Sequence, residues 1–166
     1  MKDFYQRSYA VHRDCHQLIK QSLGNYLPVA GNIGIFCQSN HEYKTFSNLK
    51  KEITFLSDNP NQKYFQLKEP IVIPNKNNIP EAKYTHLYIR KPDPSQFGKY
   101  LGDIDFIMQP TEYKKLKQKV VKGKIINASL FNRLKWDMIQ ITDPNISSVA
   151  FITTKDFAEK IRIKLD

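Results

Sequence analysis

The order strand, helix, strand, strand, strand occurs twice along this chain, and that recurrence limits the available folds more than any single residue does. GNIGIFC (31–37) and GDIDFIM (102–108) share composition and phase, with Gly31 on Gly102 and Ile33 on Ile104. In each, every second residue is apolar, Ile33, Ile35 and Cys37 against Ile104, Phe106 and Met108, which is the period of a strand. With one residue fewer in the following loop, Glu42, Tyr43 and Lys44 fall on Glu112, Tyr113 and Lys114, and Phe46 falls on Leu116. Later, Ile71 and Ile73 match Ile139 and Ile141, and THLYIRKPD (85–93) matches SVAFITTKD (148–156). The numbering offset drifts only from 71 at Ile33/Ile104 to 63 at Asp93/Asp156. Any two amphipathic strand-helix units share some of these features, so the weight rests on the common order of five elements.

The remaining elements follow from periodicity and punctuation. Phe4, Val11, Cys15, Leu18 and Ser22 recur at helical spacing and predict an N-terminal helix over 3–23, stopped by Gly24, Asn25 and Pro28. Ser39 or Asn40 can cap the first-half helix, whose apolar positions are Tyr43, Phe46, Leu49 and Ile53. YFQL from Tyr64, IVI at 71–73 and THLYIR at 85–90 read as three strands. In the second half a helix runs from near Pro110 to a stop at Gly123, with Tyr113, Leu116 and Val120 on one face. KIINA (124–128), WDMIQI (136–141) and SVAFIT (148–153) read as strands, and a short helix within 155–163 follows. The expectation is one α+β domain over 1–166. It comprises two similar βαβββ halves, 31–93 and 101–156, which form curved, mainly antiparallel sheet.

Charge and composition bound the partners. The chain has 166 residues, which suits a single core, and its apolar share of 40% with 10 Phe and 9 Tyr suffices to fill one. No stretch reaches the roughly 18 apolar residues of a membrane span, and MKDFYQRSYAVHRD is charged where a signal peptide would be apolar. The expected location is therefore the cytoplasm, with no membrane partner. Two cysteines, Cys15 and Cys37, in separate elements make no disulfide framework and read as buried thiols. A net charge of +10 admits an anionic partner, either nucleic acid or a small polar or anionic molecule. The densest basic run, Lys114, Lys115, Lys117, Lys119, Lys122 and Lys124, is either a solvated helix face or a phosphate-binding ridge.

Paired βαβββ units resemble the vicinal oxygen chelate superfamily of glyoxalases, ring-cleaving dioxygenases and bleomycin-resistance proteins, over about 31–154. The resemblance implies two curled sheets forming a cup, with metal ligands (His, Gln or Glu) on the first and last strands of each unit in the enzymes. Here those strands offer Asn32 and Gly34, then Asp103 and Asp105, with His86 and Arg90 against Val149 and Thr153 at the last strands. That set does not reproduce a four-ligand centre, so the resemblance implies a binding protein of this shape without its metal.

Several side chains can carry chemistry. Alternation places Ile104, Phe106 and Met108 on one face of their strand and Asp103, Asp105 and Ile107 on the other. Two carboxylates two residues apart can bind a divalent cation or divide acid and base roles; alternatively, Asp103 ends a turn and Asp105 pairs with a surface lysine. DIDF also resembles the metal-binding strand of nucleotidyltransferases, although the Gly-Ser that family places upstream is absent from KPDPSQFGKYL. His86, Tyr88 and Arg90 share a strand face and can line an anion pocket or decorate a wet sheet surface. His12 and His16, four apart, have chelating spacing but no third ligand, and read as a partly exposed helix shoulder, with Asp14 pointing away. His41 reads as a surface residue at a helix start. Cys37 sits before a helix N-terminus, where the dipole lowers a thiol pKa, but its alternation with Ile33 and Ile35 turns it into the core.

No P-loop, zinc-finger spacing, nucleophile elbow or dinucleotide Gly motif occurs, so no recognised motif requires a cofactor. The function expected first is binding of a small polar or anionic ligand in a cup between the halves, with or without catalysis, by Asp103, Asp105, His86, Tyr88 and Arg90. The alternatives are a nucleic-acid-binding module using Lys114, Lys115, Lys119, Lys122 and Lys124, and a subunit that docks a protein through a sheet edge or its first helix. Oligomeric state is not legible.

Overall fold

The computed structural model describes residues 1–133 and 136–165. It is an α+β structure of one seven-stranded mixed sheet and four helices, in the order α1 (Lys2–Leu23), β1 (Val29–Phe36), α2 (Asn40–Ile53), β2 (Phe65–Ile73), β3 (Ala82–Arg90), β4 (Gly102–Ile107), α3 (Pro110–Val121), β5 (Ala128–Arg133), β6 (Trp136–Ile141), β7 (Val149–Thr153) and α4 (Lys155–Lys160). Among the described residues, no helix is long and apolar enough to cross a membrane.

Across the sheet the strands run β2-β3-β1-β4-β7-β6-β5. Two pairings are parallel, β1 with β3 and β4 with β7; the other four are antiparallel. β1 and β4 therefore lie side by side at the centre, with Ile33 opposite Ile104 and Gly34 opposite Asp103. At Gly34 and Gly102 the pairing leaves no room for a side chain. A β-carbon on Gly34 would overlap the Asp103 carboxylate, and one on Gly102 would overlap the Gly34 carbonyl oxygen and press on Val11 of α1.

The core follows from alternation. Ile33, Ile35, Leu87, Ile104, Phe106, Ile139 and Ile152 point to one face and are buried there beneath Phe4, Val11, Cys15, Leu18 and Ile19 of α1, Phe46 of α2, and Leu116 and Val120 of α3. At roughly 1.5–3 kcal/mol for each fully buried large side chain, this layer is the main source of stability. α1 makes the expected stripe, ends at Gly24 in the left-handed conformation, and lies across β1, β4, β6 and β7. Ser39 caps α2 by accepting from the Glu42 amide, and Pro110 opens α3. The second face carries a smaller aromatic cluster, Phe36, Tyr100, Met138, Val149, Phe151 and Ile161.

Three predicted strands change. YFQL and IVI are one strand, β2, with a register shift between Gln66 and Ile71 where LKEP intervenes. Pro70 is tolerated because β2 is an edge strand and its missing N–H costs no ladder bond. The first half thus has three named strands where four were expected. KIINA is not a strand: Asn127 adopts the left-handed region (φ 63) and turns the chain, so β5 begins at Ala128.

Both cysteines are buried, Cys37 with its thiol pushed up to about 12, first by burial and then by Glu42, so the helix-dipole activation of a thiolate is not what this site provides. A thiol reagent is expected to leave the native protein unmodified and to count two thiols after denaturation; a fast-reacting native thiol would contradict this packing.

Candidate functional site

The face of the sheet away from α1, α2 and α3 holds a cleft of about 350 Å³. Its floor is β4. Asp103 and Asp105 project to this face, opposite Ile104 and Phe106, and are 6% and 1% exposed. Asp103 accepts from the Tyr64 hydroxyl at 3.4 Å. Asp105 accepts from Asn32 Nδ2 at 2.9 Å, and Asn32 also donates to the Ala158 carbonyl at 2.8 Å and accepts from Arg162 Nε at 2.9 Å. β1, β4 and α4 are thereby tied together beneath the site.

Seven aromatic side chains make the walls: Phe36 and Tyr88 from neighbouring strands, Phe131, Trp136 and Phe151 from the far side, and Tyr64 and Phe97 from connecting segments. Trp136 packs against Phe131 and Phe157, each at 5.5 Å between ring centroids. Arg90 lies over Phe36 and Phe97 at 5.0 and 5.4 Å, held by Asp93 at 2.6 Å and Ser95 at 3.1 Å. Lys63 lies over Tyr64 and Tyr88 at 5.1 and 5.2 Å. One more wall is the segment Ile161, Ile163, Lys164 and Leu165, which runs beside residues 61–64 through hydrogen bonds from the Lys63 and Tyr64 amides to the Arg162 carbonyl (2.9 Å each) and from the Lys164 amide to Asn61 (2.8 Å).

Electrostatics at the floor follow from this burial. Desolvation raises both carboxyl pKa values; the negative charge of Asp103 raises Asp105 further, to about 7, against the weaker opposing pull of the Asn32 hydrogen bond, Lys63 and Arg162. Neither carboxylate forms an ion pair among the described residues. Burial disfavours charge on both carboxyl groups, and the charge of Asp103 further disfavours that of Asp105. Burial likewise raises the Tyr64 and Tyr88 phenols, keeping them neutral donors.

Of the residues singled out from sequence, Asp103, Asp105, Tyr88 and Arg90 line the cleft together. His86 does not. It is half-buried opposite Asn32, its Nδ1 lies 3.0 Å from Thr85 Oγ1, and burial with nearby Arg162 lowers its pKa to about 4. Sequence reasoning missed the walls and Tyr64, Lys63 and Arg162. The available signal was the aromatic density of 97–100, 131–136 and 151–157, which helical or strand periodicity alone does not interpret.

His12 and His16 correct the exposed-shoulder expectation: both are 1% exposed, inside the α1–sheet core. His12 Nδ1 lies 2.8 Å from the Tyr84 hydroxyl, and His16 Nδ1 lies 2.9 Å from the His12 carbonyl. Asp14 is also buried, accepting from Ser148 at 3.1 Å and paired with Arg13 at 2.8 Å. Among the described residues, no three His, Cys, Asp or Glu side chains converge as a metal site requires. His41 is exposed, as are Lys114, Lys115, Lys119, Lys122 and Lys124, while Lys117 pairs with Asp137.

Burial lowers the His12 pKa to about 3 and that of His16 in the same direction. Each histidine then binds its proton more readily when unfolded, near 6.5, so its stabilising contribution is complete above that pH and lost as pH falls below it. For His12 the expected acid slope approaches about 1.4 kcal/mol per pH unit, and His16 adds to it in the same direction. Chemical denaturation of wild type and His16→Gln between pH 7 and 5 checks it; an unchanged slope in the variant would contradict neutral burial of His16.

A solved structure, "Structural Genomics, Protein EC4020", superposes with a TM-score of 0.52 at 13% identity, covering 94% of this chain and 91% of that one. The likeness is one of fold. No family model matches the chain, and no curated protein matches it.

Proposed function

We propose that this chain binds a small polar molecule in the aromatic cleft and meets it with a proton-sharing carboxyl pair, Asp103 and Asp105. The observation that carries this reading is the coincidence of two nearly inaccessible carboxylates, without ion-pair partners among the described residues, with a cavity walled by aromatic rings. Burying charge without a partner costs several kcal/mol, a cost that functional sites sustain and purely structural sheet faces seldom do. A pair of this kind can pass a proton to and from a bound molecule at neutral pH, which equips the cleft for acid–base catalysis as well as binding.

The test is a thermal-shift screen of polar metabolites near pH 7, repeated with the Asp103→Asn/Asp105→Asn double variant. Hits should raise the melting temperature of the wild type, change the emission of Trp136, the single tryptophan, and lose both effects in the variant. Hits that stabilise the folded variant equally would sink the proposal.

The paired-halves reading also belongs here. It is supported by β1 and β4 lying antiparallel at the sheet centre with Ile33 on Ile104, the same two residues that the internal comparison aligns. It is further supported by each of these strands having the last strand of its own half as its parallel neighbour. Within such a frame the cleft is the cup of the vicinal oxygen chelate resemblance. The donor set at the corresponding positions does not fit that family's metal centre.

The nucleic-acid reading rests on the exposed lysines of α3 and the loop after it. A binding assay against single- and double-stranded nucleic acid at low salt is expected to show no complex dependent on Lys114, Lys115 and Lys119; one that weakens steeply with salt and is lost in their Ala variants would favour the alternative.

A further inference from the structure

We infer that the cleft takes a two-ended molecule, a flat heterocycle with adjacent N–H donors at one end and a phosphate at the other, of which a guanine mononucleotide is the simplest example. The inference rests on the cleft being the ligand site and adds the chemistry of its occupant.

The charged groups of the cleft differ in burial, with Lys63 close enough to act on both floor carboxylates. Asp103 and Asp105 are buried at the floor, whereas Lys63 is half-buried and Lys164 exposed. Neither lysine forms an ion pair among the described residues. A purely anionic ligand would set its charge against the floor carboxylates if it entered fully. A purely cationic one finds its aromatic surfaces already facing protein cations, Arg90 over Phe36 and Phe97, Lys63 over Tyr64 and Tyr88. A molecule with donors inside and an anion outside meets both ends.

The floor selects the head group further. An ionised carboxylate only accepts hydrogen bonds; with Asp103 Oδ1 taken by Tyr64 and Asp105 Oδ2 by Asn32, the second oxygen of each carboxyl is left to meet neighbouring N–H groups, and a protonated carboxyl adds one donor. Guanine's edge, a carbonyl acceptor followed by imino and amino donors, is the complement of such a pair. Adenine presents no comparable run of donors. The walls of Trp136, Phe131 and Phe151 supply the flat apolar surface on which a base stacks, and about 350 Å³ accommodates one nucleotide and no oligomer.

The experiment titrates the full chain with guanosine monophosphate, guanosine and inosine monophosphate, by calorimetry and by Trp136 emission. Guanosine monophosphate is expected to bind, inosine monophosphate roughly 10-fold more weakly for want of the amino donor, and guanosine roughly 10- to 100-fold more weakly for want of the phosphate. The Lys63→Ala/Lys164→Ala variant should lose about 10-fold for the nucleotide and nothing for the nucleoside, with circular dichroism showing that it is folded. Guanosine binding as tightly as its monophosphate, or no response to the nucleotide at millimolar concentration, overturns the inference. If compounds without a donor edge or phosphate then bind in an Asp105-dependent way, the cleft remains the ligand site with another occupant. If none does, both readings fall.

Discussion

Gly102→Ala is expected to lower unfolding free energy by about 3 kcal/mol, near the upper end for overpacking, because its new methyl group has nowhere to go. The overlapping atom is the Gly34 carbonyl oxygen, part of the β1–β4 ladder, and the Val11 side chain closes the other direction from α1. Relief would require the two central strands to separate, and every other strand hangs from them in the order β2-β3-β1-β4-β7-β6-β5. Gly34→Ala makes an instructive contrast. Its methyl meets the end of the Asp103 side chain, which can rotate away, so the sheet should survive at smaller cost while the cleft floor is displaced. Urea unfolding followed by circular dichroism measures both. A Gly102→Ala protein as stable as the wild type would mean that β1 and β4 are not in this register.

The second large effect has the opposite sign. Asp105→Asn is expected to stabilise the fold by roughly 2–4 kcal/mol at pH 8, and by progressively less as pH falls toward 4. Asp105 has a folded pKa raised to about 7, by burial first and by Asp103 second, above an unfolded value near 3.8. A carboxyl raised in this way contributes fully below the unfolded pKa and loses that contribution as pH rises through the folded pKa, above which the buried charge is simply a penalty. Asparagine removes the charge and keeps an oxygen for Asn32 to donate to. The same substitution should abolish ligand binding, so greater stability would accompany lost function. Denaturation at pH 8 and pH 5 checks the claim; equal destabilisation at both would show that Asp105 is ionised and satisfied in the fold. The variant also isolates the histidines: with Asp105 gone, the acid slope from His12 and His16 should steepen, since the two sets of groups oppose one another across the same pH range.

How much of this was legible depended on whether one face of an element meets water. α1, α2 and α3 each have a wet side, so the spacing of Val11, Cys15 and Leu18, or of Leu116 and Val120, identified their inner faces. On β4, acid and apolar residues alternate, and that alone placed Asp103 and Asp105 opposite the main core. β7 gives no such contrast: all five residues are buried and four of them, Val149 to Ile152, are apolar members of the aromatic cluster or the core, so periodicity cannot say that Phe151 faces the cleft and Ile152 the helices. His12 and His16 were misplaced for a related reason. A histidine suits an exposed shoulder or a buried bond equally well, and the residue that decides the matter, Tyr84, lies 72 positions from His12. The merger of two predicted strands into β2 turned on Pro70 being at the sheet edge, a property of topology that local sequence does not carry.

Arg162 reaches Asn32 across 130 residues, and Asn32 in turn holds Asp105. The acidic floor is therefore a product of completed assembly. A chain that had zipped its strands together but not yet docked α4 and Arg162 would leave Asn32 without two of its partners and Asp105 more hydrated and closer to an ordinary acid. Docking of this C-terminal segment would then be accompanied by proton uptake at Asp105 near neutrality.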